Sequence, residues 1–226
     1  MKDASREIKA VIFDLDGTLI DTADEFITVV QALRDTHGLA PLPAAQVRQS
    51  VSNGSGALVT LALDCPPSDP RYEQWRLQFL DHYEQLLGTQ AKPYPGLPLL
   101  VTQLHDAGLS WAVATNKFRR YAEPLMAAMN FRPPAASLIT PCDVTHPKPH
   151  PEAILLSCKN MGVEPSGAIY VGDHQRDIEA GNAAGCFTIA AAYGYIDPDD
   201  DPNRWRADAI AESSEVLAAM IIRMIQ

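Results

Sequence analysis

Apolar residues are spaced along this chain in two rhythms. Short, nearly unbroken apolar runs rich in β-branched residues occupy 8–13, 109–114, 137–140, 168–171 and 186–190. Such runs predict strands buried on both faces, as in a parallel sheet covered by helices. Between them, apolar positions recur every three or four residues near 97–107, 119–130, 151–161 and 175–184, which predicts helices. Gly108, Gly162 and Gly185 stand just past three of these helices, where a left-handed residue ends a helix. Pro151 suits the first turn of its helix, and Pro124 must lie in a first turn or mark a kink. A weaker sixth strand over 207–210 precedes a last helix starting at Ser214.

Residues 22–94 follow the second rhythm alone. Helices are expected near 22–37, 44–50, 56–63 and 71–87, separated by proline-rich breaks, and no strand pattern is convincing among them. The economical reading is an α/β protein with a Rossmann-like three-layer core and a parallel sheet. An all-helical unit of residues 21–94 is inserted after the first strand, leaving 1–20 and 95–226 as the core. Leu19–Thr22 would form the exit, and Pro93, Pro95 and Gly96 the return hinge.

Composition narrows the function. The 226 residues hold 18 Lys+Arg and 28 Asp+Glu, a formal net charge of −10, which disfavours nucleic-acid and anionic-membrane partners. A few local cations can still favour a small phosphorylated ligand. Hydrophobic residues make up 46%, enough for a full core without disulfides. The charged N-terminus shows no signal-peptide pattern, and no transmembrane run is present. Cys65, Cys142, Cys158 and Cys186 are widely spread, as for reduced thiols, so a cytoplasmic location is expected.

Candidate chemistry follows four of the strands, at the ends where open parallel sheets bind ligands. Asp14-Leu15-Asp16-Gly17-Thr18 places two carboxylates at a strand tip, which suits an ionised nucleophile beside an acid/base. An Asp-Gly turn is the plain alternative. Asp14, Asp16, Thr18 and Glu25 also fit calcium-loop positions 1, 3, 5 and 12, but Leu19 stands where that loop needs glycine. Thr115-Asn116-Lys117 could hold phosphoryl oxygens or form an ordinary turn. Lys148 sits in a loop stiffened by Pro147, Pro149 and Pro151, which would mount its ammonium rigidly. Asp173 and Asp177 either bind metal or cap the helix starting near 175, whereas His174 is expected to have no necessary role. Asp14, Asp16 and Asp173 together suit octahedral Mg²⁺. Cys142, His146 and His150 have helical metal-site spacing, but the prolines preclude that helix.

DLDGT, the Thr of ATNK, the Lys of PKPHPE and GDxxxD, in this order, resemble the four motifs of the haloacid dehalogenase superfamily, and the likeness spans essentially the whole chain. The insert resembles that superfamily's helical cap. The resemblance implies magnesium-dependent phosphoryl transfer, with Asp14 as nucleophile forming an aspartyl-phosphate and Asp16 as acid/base. Thr115 and the Asn116 backbone would hold phosphoryl oxygens, and Lys148 would offset their charge. Asp14, the Asp16 carbonyl and Asp173 would bind Mg²⁺, with Asp177 orienting the site.

Asp16 argues against dehalogenation, which needs no general acid there. The bulk of the chain resembles the phosphoglycolate phosphatase-like branch. The segments at 52–59 and 191–208 are similar to bacterial N-acetylmuramic acid 6-phosphate phosphatases. The expected substrate is therefore a small phosphomonoester, with a sugar-phosphate mutase or a non-catalytic binding relative as alternatives. Gly54 and Gly56 would let the cap loop approach a ligand or simply start a helix. Asp197, Asp199, Asp200 and Asp201 read as a solvated loop, and Trp75, Phe79 and Tyr83 as cap core.

Overall fold

The computed structural model describes residues 7–226; the first six, with Lys2, Asp3 and Arg6 of the charged N-terminus, lie outside the described residues. The expected apolar runs form a six-stranded, all-parallel sheet: β1 (Ala10–Phe13), β4 (Ser110–Ala114), β5 (Ser137–Ile139), β6 (Ala168–Gly172), β7 (Phe187–Ala191) and β8 (Ala209–Ala211), in the order β5-β4-β1-β6-β7-β8. Strand side chains alternate between two cores. Val11, Phe13, Trp111, Val113 and Val171 meet α5 (Leu97–Asp106), α6 (Arg119–Met129) and α9 (Ser214–Met224) on one face. Ala10, Ile12, Ala112 and Tyr170 meet α7 (Glu152–Met161) and α8 (Gln175–Ala184) on the other. The three-layer α/β core is therefore present.

Register places the chemistry. Phe13 pairs with Val113 on one side and Val171 on the other, so β1, β4 and β6 end at nearly one level. The residues that follow, Asp14, Thr115 and Asp173, emerge side by side.

Residues 23–86 carry α1 (Ala23–Thr36), α2 (Ala44–Gln49), α3 (Gly54–Leu63) and α4 (Tyr72–Leu86). Their apolar faces form a separate core around Phe26, Val30, Leu33, Leu58 and Phe79. The Phe26 ring stacks on Tyr83 with centroids 4.3 Å apart. One expectation fails here: β2 (Ile20–Asp21) pairs antiparallel with β3 (Lys92–Pro93), joining the two ends of the insert. Two residues per strand are too few to leave a periodic pattern, and Pro93 is tolerated because it sits at an edge. Pro124 lies inside α6, and Pro151 occupies the N-cap of α7. Among the described residues no helix is long and apolar enough to cross a membrane.

Candidate active site

A cavity of about 230 Å³ opens between the sheet edge and the helical insert; Asp14, Asp16, Thr115 and Asn116 line one side, and Phe26 and Tyr83 the other. Lys148, Asp173 and Asp177 are buried behind the sheet-side wall. All seven residues expected from the sequence therefore gather at one place.

Lys148 organises the floor. Its ammonium lies 2.8 Å from Asp14 Oδ1 and 2.7 Å from Asp177 Oδ1, and donates to the Ala114 carbonyl and the Tyr170 hydroxyl at 2.9 Å each. Burial alone would raise the Asp14 carboxyl, but Lys148 holds it below the ordinary value. Burial likewise opposes the Lys148 charge, yet Asp14 and Asp177 keep its pKa above that of a free lysine. The two carboxylates thus favour the charged form of the lysine. Asn116 fixes its backbone: the Asn116 amide donates to the Lys148 carbonyl and accepts from the Lys148 N–H, both at 3.0 Å. The Asn116 side chain is thus a clamp on the lysine loop, a use the sequence did not suggest.

Asp173 is held from three sides. Thr18 Oγ1 donates to its Oδ1 at 3.2 Å, while Ser52 Oγ and the Tyr195 N–H donate to Oδ2 at 3.0 and 2.9 Å. Burial and the nearby Asp14 and Asp177 charges still push its pKa up to about 7. Its seat depends on missing side chains. A Cβ on Gly194 would lie 2.2 Å from Asp173 Cβ, and one on Gly17 (φ +76°) 2.1 Å from Asp173 Oδ2.

Of the two roles weighed for it, Asp177 takes the cap, and it also pairs with Lys148. Its Oδ2 accepts from the His174 N–H at 3.1 Å, as a helix cap, while Oδ1 serves Lys148. His174 is not idle: its Nδ1 accepts from the Arg176 N–H at 3.2 Å and completes the cap of α8. Asp16 accepts from the Thr22 hydroxyl at 2.6 Å and from Lys117 Nζ at 2.9 and 3.1 Å.

Sequence reasoning missed four contributors. The side chain of Lys117, read only within the Thr115-Asn116-Lys117 turn, and Arg176 were hidden beside motif residues, Ser52 as part of a turn, and Tyr170 as a strand core residue. Arg176 Nη2 donates to the Ser52 carbonyl at 2.5 Å, joining α8 to the insert. Tyr83, expected only in the cap core, also lines the cavity. Gly54 reaches the cavity, whereas Gly56 sits where a Cβ would be 2.5 Å from the Tyr72 hydroxyl. His146 and His150 face Glu152, not Cys142. The 197–201 carboxylates serve turns: Asp200 accepts from the Trp205 indole at 2.7 Å, and Asp201 from the Asn203 N–H at 3.0 Å.

The chain belongs to the haloacid dehalogenase-like hydrolases, whose pattern matches residues 11–191. It is 42% identical over 218 residues, 96% of either chain, to the N-acetylmuramic acid 6-phosphate phosphatase of Pseudomonas aeruginosa. It is 38% identical over 204 residues to a phosphoglycolate phosphatase of Xanthomonas campestris, covering 90% of this chain and 92% of that one. In fold it matches the crystal structure of a predicted phosphoglycolate phosphatase from Haemophilus somnus, with a TM-score of 0.84, 24% identity and coverage of 98% and 100%. By class the protein is a phosphatase.

Proposed function

We propose that the protein is a Mg²⁺-dependent phosphomonoesterase that works through an aspartyl-phosphate on Asp14. One observation carries this reading. Asp14, Asp173 and Asp177 bring carboxylate oxygens within 4.8 Å of one another in a buried pocket, with Lys148 paired to two of them. One ammonium does not balance three carboxylates. Apart from its Lys148 ion pair, buried Asp14 Oδ1 accepts no hydrogen bond among the described residues. That donor set, all oxygen and short of positive charge, fits a hard divalent cation. Asp14, Asp173 and the Asp16 backbone carbonyl would hold Mg²⁺, which when bound supplies charge neutralisation for phosphoryl oxygens. Asp177 is committed to Lys148, Tyr170 and the α8 cap, and so orients the site.

An Asp14 oxygen bonds to phosphorus as the ester P–O bond breaks, and Asp16 gives its proton to the departing alkoxide. Asp16 then takes a proton from a water whose oxygen bonds to phosphorus. The Asp14–phosphorus bond breaks and inorganic phosphate leaves. The Thr115 hydroxyl and the Asn116 N–H hold phosphoryl oxygens, and Lys148 offsets the charge on Asp14 and the phosphoryl group.

Residues 21–94 act as a cap on a core of 1–20 and 95–226; a hydrophobic cluster built mainly from its own helices, which Tyr121 and Tyr195 join from the core, and the β2–β3 ladder support that division. The substrates named for the relatives, N-acetylmuramic acid 6-phosphate and phosphoglycolate, are both phosphomonoesters that also bear a carboxylate. We take small esters of this kind as the substrate class. The test is phosphate release with Mg²⁺ from a panel of such esters. Wild type should turn over at least one of them, and Asp14→Asn protein, folded by circular dichroism, should be slower by about 10⁴-fold or more. Near-wild-type turnover by Asp14→Asn would remove Asp14 as nucleophile.

A further inference from the structure

Lys117 is a buried cation that phosphoryl binding does not require. Its side chain is 7% exposed, and its Nζ lies over the Tyr83 ring at 4.6 Å and the Phe26 ring at 5.1 Å. Its ion-pair partner is Asp16, at 2.9 and 3.1 Å from the two carboxylate oxygens. The other cations at the cavity are occupied differently. Arg76 pairs bidentately with Glu73 at 2.9 and 2.7 Å, and Arg176 donates to a backbone carbonyl. Lys148 is buried beneath Asp14. Lys117 therefore differs from them: its partner is the carboxylate that must face the ester oxygen.

This placement constrains the leaving group. Whatever alcohol stands with its oxygen at Asp16 brings its next atoms against the Lys117 ammonium, beside the stacked Phe26 and Tyr83 rings. Aromatic walls accept a neutral apolar substituent as readily as any other, but a desolvated ammonium favours an anion and penalises a neutral group that cannot pair with it. The bidentate grip of Asp16 on Lys117 leaves an N–H of the –NH₃⁺ group, which has three donors, for a second acceptor.

We propose that Lys117 binds a carboxylate on the alcohol side of the phosphomonoester, and so selects substrates that carry a second negative charge close to the ester oxygen. The proposal rests on the phosphatase reading above and adds the residue that chooses among its substrates. Asp16 and the substrate carboxylate would both meet the Lys117 ammonium across the cavity. The aromatic faces hold that cation away from water, which strengthens both pairings.

The test compares 2-phosphoglycolate with its carboxamide, which has the same shape without the charge, using p-nitrophenyl phosphate as a measure of phosphatase activity itself. Wild type should favour the acid over the amide in kcat/KM by about 10- to 100-fold. Lys117→Met should bring that ratio to within about threefold of unity, with the loss on the acid falling mainly in KM. Lys117→Arg, which keeps a cation, should retain most of the preference. Equal use of acid and amide by wild type would overturn the proposal. So would a uniform loss on all three esters in Lys117→Met with the ratio intact, because Lys117 would then act only through Asp16. Absence of any wild-type activity, including on p-nitrophenyl phosphate, would instead overturn the phosphatase reading, and the proposal with it.

Discussion

The two sides of the cavity are built by different physics. The sheet side is built on Asp14, Thr115 and Asp173, each one step beyond a strand end, and the parallel register of β1, β4 and β6 sets their positions before any side-chain contact is made. The helical side consists of Phe26 from α1, Ser52 from the turn before α3 and Tyr83 from α4, brought together by the packing of one hydrophobic cluster. A site can thus keep its reaction machinery constant while the opposing wall changes with each substrate. Lys117 belongs to the sheet side by sequence and to the helical side by its aromatic contacts.

Four changes would break or sharpen this contrast. The largest effect is expected at Asp16: Asp16→Asn should lower saturated turnover by about 10²–10⁴-fold, measured as kcat with Mg²⁺ in excess. A change in Mg²⁺ affinity alone would deny it the acid/base role. Next is Lys148→Met, which strands two buried carboxylates. Urea unfolding should show a loss of about 3–5 kcal/mol, since breaking one partner of a buried ion pair leaves uncompensated charge. A loss below about 1 kcal/mol would mean that Lys148 does not hold the floor together.

The third change is pH. The folded pKa of Asp173, about 7, lies above its ordinary value of 3.8, so the metal-free fold favours the protonated acid. That contribution is fully present below about pH 4 and is lost as pH rises towards 7. If Asp173 is a Mg²⁺ ligand as proposed, the ion would offset the lost part by pairing with the ionised form, whereas at pH 5.5 it would first have to displace a proton. Mg²⁺ should therefore raise Tm more at pH 8 than at pH 5.5, and equal increments at both would exclude Asp173 as a ligand. The smallest effect is expected on the helical side. Ser52→Ala removes one hydrogen bond to Asp173 and should cost about 1 kcal/mol or less in stability. Mg²⁺ affinity measured by calorimetry should fall by less than about tenfold; a larger fall would place Ser52 with the sheet-side machinery.

The same contrast explains what could be read from the sequence. Strand runs and the motif residues after them carry their meaning locally, so the sheet, its helices and Asp14, Asp16, Lys148 and Asp173 could be placed before the structure was known. Tyr170 reads as one more apolar strand position, and only the approach of α8 and the lysine loop turns its hydroxyl into a partner for Lys148 and Asp177. For Asn116 the sequence suggested a role for the backbone alone, because its side-chain partner lies 32 residues away. The two-residue β2–β3 ladder has no periodicity at all.

Tyr195 spans the distance between two of these parts. Its amide holds Asp173, while its hydroxyl accepts from the N–H groups of Thr22 and Ala23 at 2.6 and 3.0 Å and donates to Asp21 at 2.8 Å. The chain leaving β2 and the carboxylate just past β6 are thus fastened to one residue, the first by its hydroxyl and the second by its backbone amide. In thermodynamic terms they are linked variables: if seating a cation at Asp173 shifts the balance of positions open to residues 21–23, those positions shift the cation's affinity by the same factor.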